Sequence, residues 1–162
     1  MNFVTTWYEQ LRPKLSDLSL LILRVWVGQE FLVSGYTKLS GGFTPPEWFV
    51  QLDFPFPHGV LGPTLNWGIA GVSEIGFGSA LILGLGARIA ALALMYITYI
   101  AIYTVHFDLG WAGWNLIEAD AGNGFKVPLM IAVMLLTLLG QGAGNWSIDA
   151  VLCRNHDNKD KT

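Results

Sequence analysis

The sequence predicts an all-α integral membrane protein: a four-helix bundle with both termini in the cytoplasm. Three observations carry this reading. Of 162 residues, 52% are hydrophobic and only 13% charged, well below the roughly 25% charged content of soluble domains. The mean hydropathy is +0.46. Four apolar stretches come near the roughly 20 residues that cross about 30 Å of hydrocarbon as a helix. The length suits one domain over residues 1–150, followed by a polar cytoplasmic tail over 151–162.

The first span is read from about Leu18 to Leu39. The segment before it is polar and aromatic, without the short apolar core and small-residue cleavage site of a signal peptide. A loop of about 25 residues follows, in which Gly41-Gly42-Phe43-Thr44-Pro45-Pro46 and Phe54-Pro55-Phe56-Pro57 stop any regular helix. Its Trp48, Phe49, Phe54 and Phe56 suit an interfacial lid. The second span runs from about Leu65 to Leu85 and the third from Ala87 to His106, joined by a tight helical hairpin at Gly84-Leu85-Gly86-Ala87-Arg88. The connection from Phe107 to Gly124 carries Trp111, Trp114, Asn115, Glu118 and Asp120. The fourth span begins near Phe125, takes Pro128 in its first turn and ends near Gly140. From Arg154 the chain reads as a frayed tail.

Charge sets the orientation. Six of the nine Lys and Arg (Arg12, Lys14, Arg88, Arg154, Lys159 and Lys161) fall on the side of the termini, Lys38 and Lys126 on the other, and Arg24 within the membrane. The positive-inside rule places both ends in the cytoplasm. A net charge of −3 and a pI near 5.5 give no basic surface for nucleic acid. The single cysteine, Cys153, excludes an internal disulfide or a paired-thiol redox centre.

Ionisable side chains within a span turn toward protein or water and invite a functional reading. The candidates are Arg24, Glu30 and Glu74, with Lys38 and His106 at span ends. Arg24, Gly28, Phe31, Gly35 and Lys38 repeat at helical spacing on one face, and the two glycines admit a close neighbouring backbone. Depth counting at 1.5 Å per residue suggests that Arg24 pairs with Glu74. Such a pair either fixes helix register or frames a polar pocket for the head group of a quinone or similar amphiphile. A protonatable Glu74 passing a proton is a third use. Secondary candidates are Glu30, Arg88, Asp108 and His58. Two imidazoles with carboxylates have the chemistry of a transition-metal site, but their spacing matches no ligand motif and no metal site is assigned. Neither haem nor flavin is expected, since no histidine lies in mid-span; no glycine group has a phosphate-binding pattern.

The order Arg24-x3-Gly28-x2-Phe31-x3-Gly35-x2-Lys38-Leu39, Glu74, Leu83-Gly84-Leu85-Gly86-Ala87-Arg88 and Thr104-Val105-His106 resembles the DoxX family of four-helix membrane proteins, named from a subunit associated with a terminal quinol oxidase. The Leu52-x-Phe-Pro-Phe-Pro57 loop, the His106-x3-Gly110-Trp111 segment and Gly142-Ala143-Gly144-x3-Ser147-x-Asp149 also resemble a subgroup found beside copper-linked modified-peptide operons. Gln29 and Glu30 depart from residues usually apolar in the family, and the third connection is short for the subgroup. The resemblance implies a multi-pass protein of the bacterial inner membrane in a redox or metal-stress system, with a quinone as the conceivable ligand. The leading reading is an accessory component of such a system, the runner-up a quinol-oxidising subunit; the aromatic outward loops, as a docking surface, offer a third, an assembly factor or chaperone for other membrane or exported proteins. The partners these readings admit are membrane lipid, another membrane or redox protein, and a second copy of the chain.

Overall fold

The computed structural model describes residues 3–159. Six helices follow in chain order: α1 (Phe3–Ser40), α2 (Glu47–Val50), α3 (Pro63–Leu83), α4 (Ala87–Val105), α5 (Lys126–Gln141) and α6 (Ile148–Lys159). Leu11–Ser40 of α1 and Ala87–Val105 are long and apolar enough to cross a membrane, whereas Lys126–Gln141 is a shorter apolar helix. α3 is long enough, but Asn66, Ser73, Glu74 and four glycines interrupt its apolar run. Two differences from the expected elements stand out. α1 extends through the polar segment before residue 18 as one helix containing Pro13. The expected frayed tail is helical as far as Lys159, while residues 160–162 lie outside the described part.

Helices α1 and α3 pack through glycine. A methyl group added at Gly28 would stand 2.8 Å from the Gly78 carbonyl oxygen, and one at Gly35 would stand 2.6 Å from that of Gly71. Without side chains at these four points the two backbones touch, the mode that replaces hydrophobic burial between helices in lipid. The core then closes between α1, α3, α4 and α5 on Val27, Leu81, Ala91, Leu94, Leu135 and Leu138, each at most 1% exposed. Outside it the surface is apolar as well: Val25, Val33, Val72, Leu92, Val133 and Leu136 are all more than 40% exposed.

The α3–α4 hairpin turns on Gly84 and Gly86, both left-handed at φ 68° and 57°. Gly84 ends α3, and the Leu85 N–H reaches back to the Ala80 carbonyl at 2.9 Å, the bonding of a Schellman stop. The N-terminus of α4 has no cap from its own sequence. Asp149 supplies one from 62 residues away, its carboxylate accepting from Gly86 N–H at 2.8 Å and Ala87 N–H at 3.1 Å. Asp17 of α1 similarly accepts from the Asn145 backbone and side-chain N–H groups at 2.9–3.2 Å. The 142–149 segment is thereby clamped to the start of α1 and to the hairpin, which sets it at the opposite end from residues 41–62 and 106–125.

Candidate functional site: a polar-ended cavity between α1, α3 and α4

Glycine contacts fix which residues share a depth. Because Gly28 meets Gly78 and Gly35 meets Gly71, Glu74 is level with about residue 32 of α1. Arg24 then lies roughly 12 Å away along the axis at 1.5 Å per residue, and the expected Arg24–Glu74 pair does not form. Side chains on a helix lean toward its N-terminus. Lys38 therefore leans back down α1 while Glu74 leans up α3, and they meet.

The Lys38 ammonium donates to Glu74 Oε2 at 2.8 Å, to Glu74 Oε1 at 3.0 Å and to Ser34 Oγ at 2.7 Å. Those contacts occupy all three of its N–H groups. The Glu74 side chain is 6% exposed and that of Lys38 21%, so the pair is largely withdrawn from solvent, and either charge left alone would be costly. Trp67 covers it. Its ring lies 5.9 Å from the ammonium, and its indole N–H holds the Lys38 carbonyl at 3.0 Å. Phe49 packs on Trp67 at 4.7 Å between ring centres, with Phe54 behind it at 5.1 Å.

These groups line one wall of a cavity of about 510 Å³. Phe31, Ile69 and Phe77 make its apolar sides, and Val127, Pro128 and Ile131 of α5 its far side. The loop over residues 41–62 contributes Trp48, Phe49, Phe54 and His58, whereas Phe56, expected in the same aromatic lid, is 87% exposed and outside the lining. A second polar group stands on the α4 side. The Asn66 amide donates to the carbonyls of His58 at 2.9 Å and Leu61 at 3.2 Å, which turns its oxygen toward His58 Nδ1 at 2.9 Å. Nδ1 must then carry hydrogen, leaving Nε2 to accept from the Tyr96 hydroxyl at 3.1 Å when the ring is neutral. The lone pairs of the Tyr96 oxygen remain free.

His106 completes the lining one residue beyond α4. Its Nδ1 is buried with no hydrogen-bond partner among the described residues.

Lys38, Glu74, His58 and His106 thus share a cavity, and the other candidates do not. Arg24 is fully buried at the opposite end, where one guanidinium N–H holds the Trp146 carbonyl at 2.6 Å beside Gly84 and Ser147. Its Nε and Nη1 have no partner among the described residues. Glu30 faces outward. Arg88 reaches the Gly140 carbonyl at 3.3 Å. Asp108 staples its loop through the Asn123 N–H at 3.0 Å. No group of three or more His, Cys, Asp or Glu poised for a metal occurs among the described residues. Ser34, Asn66, Trp67 and Tyr96 belong to the site without having been singled out. An asparagine in the first turn of an apolar helix was the available signal for Asn66; Tyr96 was hidden among Tyr99 and Tyr103.

Residues 19–107 match the model of the DoxX family. The chain belongs to the DoxX family. DoxX proteins are membrane proteins, generally linked to redox or stress functions. The matched stretch holds every polar residue of the cavity, from Ser34 to His106. A Haemophilus influenzae protein described as an uncharacterized protein is 37% identical over 146 residues, which is 89% of each chain. No solved structure matches the chain.

Proposed function

We propose that this DoxX protein is a four-span accessory component of a redox or metal-stress system in the bacterial inner membrane, both termini cytoplasmic, and that its cavity takes the ring of a quinone-like amphiphile. The observation that carries this reading is a mostly apolar chamber of about 510 Å³ whose lining carries the Lys38–Glu74 pair, the His58–Asn66–Tyr96 group and His106. That is the lining expected for a flat, mostly apolar ring with oxygen substituents. The apolar outer belt of α1, α3, α4 and α5 supports four spans. The surplus of Lys and Arg at the end holding the termini supports the orientation.

The polar groups also favour one redox form. With the Lys38 ammonium engaged and the Tyr96 hydrogen given to His58, the Glu74 carboxylate and the Tyr96 oxygen remain as acceptors, and His106 Nδ1 joins them in the tautomer that carries its hydrogen on Nε2. A hydroxyl-bearing, reduced ring satisfies them better than a ring with only carbonyl oxygens. Titration of the purified protein in nanodiscs with short-chain quinol and quinone, read by tryptophan fluorescence from Trp48 and Trp67, tests this. The reduced probe is expected to bind about tenfold more tightly, the value of one hydrogen bond that the oxidised ring cannot make. Glu74→Gln should narrow the difference, and failure of both probes to quench would remove the reading.

A second reading, a quinol-oxidising enzyme subunit, draws on the same acceptors. Glu74 or His106 would take the hydroxyl proton as the electrons leave to an external acceptor. Turnover with an added electron acceptor, abolished in Glu74→Gln, would favour it over the accessory role.

A further inference from the structure

Gln29 and Glu30 are side by side on α1 and both exposed, on the face turned away from Val27, Gly28 and Phe31. Their one side-chain hydrogen bond among the described residues is to each other, from Gln29 Nε2 to Glu30 Oε1 at 3.5 Å, which is at the limit of a useful contact. The same face continues through Ile22, Trp26, Val33 and Tyr36, each more than half exposed. Within the apolar part of α1, Gln29 stands eleven positions from Leu18 and Glu30 nine from Leu39, or roughly 17 Å and 14 Å along the axis. They are therefore near mid-bilayer if α1 crosses the membrane, where an unmatched polar pair facing lipid is expensive. Neither residue is among those that line the cavity.

We propose that this face is covered by a second copy of the chain, with two parallel α1 helices related by a twofold axis along the membrane normal. Copies inserted in the same sense carry Gln29 and Glu30 at the same depth. A donor and an acceptor placed next to each other are self-complementary across a twofold. The Gln29 amide of one protomer donates to the Glu30 carboxyl of its partner, and the reciprocal bond forms at the same time, so that neither carboxyl faces hydrocarbon. Val25, Trp26 and Val33 pack around the pair and exclude lipid from it. A different membrane protein would have to supply both a donor to Glu30 and an acceptor to Gln29 at this depth.

The inference rests on the proposed insertion of α1 but not on the cavity's ligand. The test is oxidative crosslinking in native membranes of single-cysteine variants built on Cys153→Ser. Trp26→Cys and Val33→Cys, one turn to either side of the pair, are expected to give a species of twice the chain mass. Leu92→Cys, on the outer face of α4, is not. In the Val33→Cys background, Glu30→Leu should reduce crosslinking about fivefold, the worth of an interhelical hydrogen bond in lipid, and Glu30→Gln should restore most of it. Absence of the dimer at both positions, a product of another mass, or indifference to Glu30→Leu overturns the proposal. Alkaline carbonate extraction of the same membranes reports insertion separately, and release of the chain would overturn the membrane reading beneath it.

Discussion

At the scale of single residues, the ion pair of Lys38 and Glu74 makes the sharpest claim. Each partner alone is a charge withdrawn from water, and removing one leaves the other uncompensated. Glu74→Ala and Lys38→Met are each expected to destabilise the protein by about 3 kcal/mol, while Lys38→Met with Glu74→Met together costs about 1 kcal/mol or less, because the well-packed apolar pair has no charge to strand. Thermal unfolding in detergent measures both. The sequence marked Lys38, Glu74 and His106 because each is a charged or titratable group at or within an apolar stretch, and His58 because it offers a second imidazole in the outward loop. It misassigned Glu74's partner because equal spacing along two helices does not give their relative offset, which is fixed by where Gly28 and Gly35 seat on Gly78 and Gly71. The N-terminal lean of the side chains decides the rest.

At the scale of elements, α3, α4 and α5 begin and end within about two residues of apolar stretches visible in the sequence, since lipid or core burial needs an uninterrupted apolar length. Hydropathy did not reveal that α1 begins as early as Phe3, because the first residues are polar. Nor did it reveal how α4 is capped. The cap comes from Asp149, a residue that no local pattern connects to Gly86 and Ala87. Asp149→Ala should cost about 1 kcal/mol, the usual value of a lost N-cap, and should speed amide exchange in the first turn of α4 without touching α5. The α1–α3 seam is less forgiving. A Cβ at Gly35 would press on the Gly71 backbone at 2.6 Å, and neither helix backbone yields as a flexible side chain would. Gly35→Ala is therefore expected to lower stability by about 2 kcal/mol and to widen the Lys38–Glu74 contact, since both sit within one turn of the seam.

At the scale of the whole molecule, most buried charged side chains fall into two separate clusters. One is a structural lock in which Arg24, Asp17 and Asp149 hold the 142–149 segment against the hairpin. The other is the cavity, with its aromatic cover over Lys38 and Glu74. The sequence could not separate these roles, for Arg24 and Glu74 look alike as charges inside apolar helices, and only packing shows that one is enclosed by backbone while the other faces a chamber. The sorting predicts different consequences. Arg24→Met should impair assembly of the C-terminal segment, read as faster proteolysis after residue 142, while leaving probe binding per folded molecule unchanged. Changes at Glu74 should do the reverse. The measurement that most directly tests the account is the content of the chamber in protein taken from native membrane in lipid nanodiscs without detergent, determined by high-resolution imaging. The account predicts stoichiometric density for a ring with oxygen substituents among Glu74, Tyr96 and His106. Acyl chains alone in that space, or side chains collapsed to fill it, would contradict it.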